Sequence, residues 1–294
     1  MTVPKSSSAG TITDDDLPGL HDAGDKASLE GQRYFVVASG IKLGLAASAA
    51  VVSAFSGPRG LAIAVAGLFL GVLCAEAWLW ARKPERRWYD GRAFAESAKT
   101  MAWRFAVGAA PYLKTDATAE DRYLADLHRL LDDGPKTDIY PSNKPPISNA
   151  MEHVRGLDLH DRRSVYLRDR IDVQLNWYRT KALLSRKRST QWRTALIAAE
   201  GLGVFFAFGR ASDLIPIDAG GIIAAFVGAG AAWLGIRQHE NLQRAYTYAS
   251  QELSIARAAL ERCTSDTEWP QLVADTEEAI SREHTMWRAS RSSS

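Results

Sequence analysis

The chain has 294 residues, 24% of them charged, with a net charge of +2 and a mean hydropathy of −0.19. So small a net charge does not by itself imply nucleic acid as a partner, and two cysteines, Cys74 and Cys263, offer neither a disulfide framework nor a metal-ligand pair. The averages look soluble, but the apolar residues stand in blocks with the charges between them, so position has to carry the reading.

Met1 to about Lys26 is rich in Ser, Gly, Thr and Asp and lacks the apolar core of a signal peptide. Residues 1–30 are therefore expected to form a disordered cytosolic tail. Its acid run Asp14–Asp15–Asp16 lacks the glycine and closing glutamate of an EF-hand and reads as solvated.

The chain is organised around Tyr34–Ala81. Tyr34 to Ser56 carries one formal charge, Lys42; residues 57–60 make a turn; Leu61 to Ala81 again carries one, Glu76. A bilayer core of about 30 Å needs about 20 apolar residues at ~1.5 Å each, and both halves meet that. A buried hairpin in a soluble protein is the alternative, but core helices keep a polar stripe and Leu61–Cys74 has none. Two transmembrane helices follow. Each cysteine is expected to be a small buried apolar side chain.

Arg82, Lys83, Arg86, Arg87 and Arg92 crowd one side of this hairpin, while its loop has only Arg59. The positive-inside rule puts the cluster and the N-terminus in the cytoplasm. Trp78, Trp80, Trp88 and Tyr89 fit an interfacial aromatic belt. Pro84 is expected to kink or restart the helix. Phe94, Ala98, Met101 and Phe105 then recur as a packing stripe, which Gly108 and Pro111 end. Ala119–Asp133 reads as a short amphipathic helix with Leu124, Leu127 and Leu131 on one face, followed by a Pro-rich loop.

The second half repeats this plan. Asp161–Gln191 is a basic helix with the stripe Leu167, Ile171, Leu175, Tyr178 and Ala182, and its end carries Arg186, Lys187, Arg188 and Arg193. Trp192–Arg210 and Ala219–Ile236 are a third and fourth span. Below them Leu242, Tyr246, Ala249, Leu253, Ala256 and Leu260 make a heptad seam on a helix expected over Arg237–Arg262, about 39 Å long. Its expected antiparallel partner is Asp161–Gln191, giving a cytoplasmic stalk. A last helix runs from Trp269 to about Arg288, with Val273, Ile280 and Trp287 on one side. The reading is an all-α membrane protein: four transmembrane helices as two hairpins, with long cytoplasmic helical extensions and both termini inside. Its parts are the tail, a first two-span module at 31–115, a connector at 116–158, and a second module with the stalk at 159–291. RAFAESAK (Arg92–Lys99) and RAYTYASQ (Arg244–Gln251) occupy matching places after the two hairpins, although the shared order of elements supports a repeat better than these letters do.

Three stretches, Trp88–Tyr112, Tyr166–Ala182 and Ile280–Arg291, together resemble the SLATT family (SMODS and SLOG-associating two-transmembrane effector domains), bacterial membrane proteins with two-span modules and cytoplasmic helices. The resemblance covers most of Gln32–Arg291 and implies two modules in tandem. It also implies a membrane effector of a bacterial conflict system, triggered by a sensor or nucleotide-signal synthase. This chain carries no such domain, so its trigger is expected from a separately encoded cytosolic partner or from the stalk.

Three charges lie inside the spans. Counted from the first turn, Lys42 and Glu76 come level and are expected to pair across the hairpin. Glu200 sits at comparable depth in the third span, where it either competes for Lys42 or lines a cation-attracting pore. Satisfied packing and snorkelling to the headgroups are the plainer readings. Gly40, Gly44 and Ser48 in the first span, and Gly220, Ala224, Gly228 and Ala232 in the fourth, recur every fourth residue. Such faces permit close helix approach, either between the hairpins or in a homo-oligomer. No HExxH, GxSxG, Walker A or CxxC motif occurs, and no enzyme, cofactor or metal site is expected; His239–Glu240 reads as solvated surface. The basic segments Arg82, Lys83, Arg86, Arg87 and Arg186, Lys187, Arg188 face lipid headgroups rather than nucleic acid. Two functions remain: a pore-forming or membrane-disrupting effector at the plasma membrane, and a non-catalytic anchor whose stalk recruits a cytosolic partner.

Overall fold

The computed structural model describes residues 10–55, 59–134, 140–214 and 218–292, with side chains through 281. All its regular elements are helical: α1 (Gly19–Ser53), α2 (Arg59–Arg82), α3 (Pro84–Ala106), α4 (Ala119–Asp133), α5 (Asn149–Gly156), α6 (Leu159–Val165), a π-helical stretch (Tyr166–Asp172), α7 (Val173–Ala211), α8 (Ala219–Arg237), α9 (His239–Arg262) and α10 (Trp269–Ser292), besides one short 3-10 turn at Asp14–Asp16. Both hairpin turns, at 56–58 and 215–217, lie outside the described residues, as do 135–139 of the Pro-rich loop.

Contacts divide the chain into two compact units that cut across the sequence halves. One comprises residues 1–31, 86–180 and 245–294; the other comprises 32–85 and 181–244. The second is the span unit. It holds the apolar lengths of α1, α2, α7 and α8, the four stretches long and apolar enough to cross a membrane.

The first unit is a helical core. The α3 stripe is inside, with Phe94, Ala98 and Phe105 buried, and Ile171, Leu175 and Tyr178 of the π stretch and α7 are buried too. Within this unit the start of α7 lies antiparallel to α9. The Trp177 and Tyr246 rings are 5.2 Å apart, and Arg257 Nε bonds Asp172 Oδ1 at 2.6 Å. Ala249, Leu253 and Leu260 of the heptad seam are buried. α10 closes the core with Trp269, Val273 and Ile280; Trp287 lies beyond the described side chains.

Several expectations are corrected. The disordered tail fails from residue 10 onward: Ile12 and Leu17 sit in the core, and α1 begins at Gly19. Composition missed this because two apolar anchors and a chain of small residues suffice where the helix lies close to a neighbour. A Cβ added at Gly24 would fall 2.8 Å from Ala95 N, and one at Gly91 would fall 2.7 Å from Ser28 N, so α1 and α3 touch backbone to backbone. The acid run is a 3-10 turn whose Asp14 accepts from Lys99 at 2.7 Å. On α4 the buried face is Ala119, Tyr123 and Leu127, whereas Leu124 and Leu131 are exposed. Tyr89 is buried rather than interfacial, Cys74 is exposed, and His239 is buried rather than solvated.

Each hairpin ends in the same local device. α2 stops at Lys83, left-handed at φ 43, and Pro84 opens α3, as a residue lacking an N–H does well in a first turn. α8 stops at Gln238, left-handed at φ 47, and α9 restarts at His239. The helix expected from Arg237 to Arg262 is therefore broken at its second residue.

Candidate functional site in the spans

Within the span unit, α1 and α2 run antiparallel. Leu45 occupies the space beside Gly71, 3.0 Å from an added Cβ, and the Tyr34 and Trp78 rings meet edge to face at 6.2 Å. This register brings Lys42 Nζ to 2.6 Å from Glu76 Oε2. The pair is half-exposed on the protein surface, where lipid rather than water would surround it. An ion pair there removes two uncompensated charges from the membrane interior.

α7 and α8 pack in the same manner. Leu196 fills the space beside Gly230, Ile223 lies beside Gly203, and Ala207 beside Gly220. Trp233 of α8 reaches Gly40 of α1, 3.7 Å from an added Cβ, so the two hairpins meet through one aromatic ring on one small residue. The small residues thus divide. Gly40 and Gly220 have neighbours within the chain. Gly44 and Gly228 have none within 4 Å of an added Cβ, and Ser48, Ala224 and Ala232 are exposed.

Glu200 is exposed on α7 and has no hydrogen bond or ion pair among the described residues. Its expected competition for Lys42 is not seen, since Lys42 is held by Glu76. The basic residues divide as well. Arg86 bonds Asp90 at 3.3 Å and Arg87 bonds Glu30 at 3.2 Å, so both are engaged within the helical core. Arg82, Lys83, Arg186, Lys187 and Arg188 have no counter-charge among the described residues.

The helical core holds a polar cluster that sequence reasoning missed. Glu277 of α10 is fully buried and accepts from Arg170 Nε (2.9 Å) and Nη2 (2.7 Å), Tyr166 OH (2.9 Å) and Thr100 Oγ1 (3.0 Å). Burial disfavours the Arg170 charge, yet the Glu277 carboxylate holds its pKa above the ordinary value. Burial, then Glu277, push the Tyr166 hydroxyl well above its ordinary value. Tyr166 and Arg170 both lie in the π-helical stretch, whose extra residue per turn turns them inward together. A signal existed: Glu277 falls between Val273 and Ile280 on the apolar stripe of α10, a place where an isolated carboxylate must find a buried cation. Asp158, His160 and Asp161 cluster on the exposed start of α6, where Asp158 is employed as the N-cap, accepting from Asp161 N at 2.9 Å.

Comparison with known families agrees with this arrangement. Residues 18–163 match the family described as SMODS and SLOG-associating 2TM effector domain 3, and residues 166–287 match SMODS and SLOG-associating 2TM effector domain 1. Comparison with curated proteins and with solved structures gives no match. The two matches adjoin at the entry to the π-helical stretch, and each contains one hairpin. With two such matches covering nearly the whole chain and four membrane-crossing helices between them, the protein is a membrane protein of the SLATT family, two effector modules in tandem.

Proposed function

We propose that this membrane effector acts by assembling copies of itself into a cation-conducting pore, on a cytosolic signal delivered by a separately encoded sensor or nucleotide-signalling enzyme. The observation that carries the reading is Glu200: a carboxylate in a span, exposed on the single chain and without a partner among the described residues. Such a group in lipid is costly and belongs against another copy or against water. The open face of Ala224, Gly228 and Ala232 offers a surface on which a second copy can approach closely. The chain would sit in the plasma membrane with both termini cytoplasmic, as the basic residues beside each hairpin favour, and the mechanism asks for no catalytic group.

In planar bilayers the purified protein should then pass cations over anions, and E200Q should lose that preference while still conducting. Unchanged selectivity in E200Q removes Glu200 from the pathway.

A second reading, a non-catalytic anchor that recruits a cytosolic partner, draws on one feature of the helical core. A groove of about 490 Å³ lies between the start of α1, α4 and the Pro-rich loop, and Leu20, Leu124, Leu127 and Leu131 line it. An anchor predicts no dye release from liposomes at any protein density, whereas a pore predicts release.

A further inference from the structure

Below the second hairpin, three elements of the span unit bring basic groups to one level. The contacts Ala207–Gly220, Gly203–Ile223 and Leu196–Gly230 step antiparallel along α7 and α8. Continued towards the start of α7, the same register sets Arg188 opposite Gln238. Gln238 is the left-handed break, so its neighbours Arg237 and His239 are presented by the end of α8 and the beginning of α9. The Arg237 guanidinium lies 5.7 Å from the centre of the Trp233 ring. His239 is only 6% exposed and has no hydrogen-bond partner among the described residues.

The charge at this junction is not balanced by the protein. Arg188 has no counter-ion among the described residues. Glu240, next in the chain, is already held by Arg193 and by Arg244 at 2.7 Å. Burial, and then the charges of Arg237 and Arg188, lower the His239 pKa, the mark of like charges crowded together. An anion placed among them would relieve that crowding and take the unused hydrogen-bonding capacity of His239.

We propose that Arg188, Arg237 and His239 form a binding site for the phosphate of one anionic phospholipid. A lipid fits better than a soluble phosphate because the site stands where both spans end. Arg188 and Arg237 stand at the ends of the apolar stretches of α7 and α8, so a phosphate held between them lies at headgroup level with apolar helix surface beside it for the acyl chains. The site is independent of the pore reading, since an anchor would hold such a lipid equally.

The test is native mass spectrometry of the full chain released from detergent, with phosphatidylglycerol and phosphatidylcholine supplied in equal amounts. Wild type should retain phosphatidylglycerol preferentially. R188Q, which changes an exposed residue, should lower that retention about fivefold, the worth of one cation at a lipid headgroup. R129Q, on α4 and paired with Asp126, should leave it unchanged. Equal retention of the two lipids by wild type overturns the proposal even if R188Q does not fold, and so does unchanged retention by a folded R188Q. Displacement of the lipid by millimolar inorganic phosphate overturns the lipid assignment in favour of a soluble anion.

Discussion

The two compact units of this chain are built from much the same helices turned opposite ways. In the helical core Trp269, Tyr166 and Ile171 are inside and most charges are outside. In the span unit Ile63, Phe69, Ile197, Phe205 and Phe208 are outside, and the membrane-crossing stretches of α2, α7 and α8 bury none of their residues. The solvent of each unit explains the difference: water drives the first set of side chains inward, and lipid removes that drive from the second. Each unit also handles charge in its own way. Among the described residues the core surrounds the buried Glu277 carboxylate with Arg170 and two hydroxyls, while in the spans Lys42 and Glu76 pair at the surface and Glu200 stands without a partner.

That contrast can be broken at its strongest point first. E277A leaves Arg170 buried without its carboxylate and should cost the helical core about 3–5 kcal/mol, read as loss of cooperative unfolding by circular dichroism. The double variant R170M/E277L should recover only part of that loss: it removes the stranded charge, but the buried Tyr166 and Thr100 hydroxyls still lack their acceptor. In the span unit K42L strands Glu76 in lipid and should cost about 2.5–3.5 kcal/mol in denaturant titration of detergent-solubilised protein, with K42L/E76L recovering it. Equal effects of the single and double variants would show that the pair contributes nothing.

Much of the fold was legible because lipid and water leave periods of different kind. The uninterrupted apolar runs gave the spans, and the counted register brought Lys42 level with Glu76. The heptad seam of α9 and the stripe of α7 gave the antiparallel pairing through Trp177 and Tyr246. What stayed hidden was long-range or backbone-borne. Nothing near Glu277 in the chain names Arg170 as its partner. The left-handed breaks at Lys83 and Gln238 fall on residues with no glycine to announce them. Residues 10–31 read as linker by composition, yet they pack where Gly24 of α1 meets the backbone of α3 and Gly91 of α3 meets that of α1.

Those glycines sharpen the comparison further. G91A drives a Cβ into the backbone of Ser28 and should destabilise the core by about 1–3 kcal/mol in thermal melts. G228A meets open space in the single chain, so its stability in dilute detergent should change by less than about 0.5 kcal/mol, while the mass of any oligomer should fall. An oligomer unaffected by G228A moves the interface to another face.

The claim beneath all of this is that four helices cross the bilayer as two hairpins. Single cysteines placed at Gly60 and Ser212, by the hairpin turns, and at Arg82 and Thr190, by the opposite ends, in a background lacking Cys74 and Cys263, can be labelled with a membrane-impermeant maleimide in sealed vesicles of each orientation. The account predicts that Gly60 and Ser212 label from one side and Arg82 and Thr190 only from the other. Labelling of all four from the same side would contradict it.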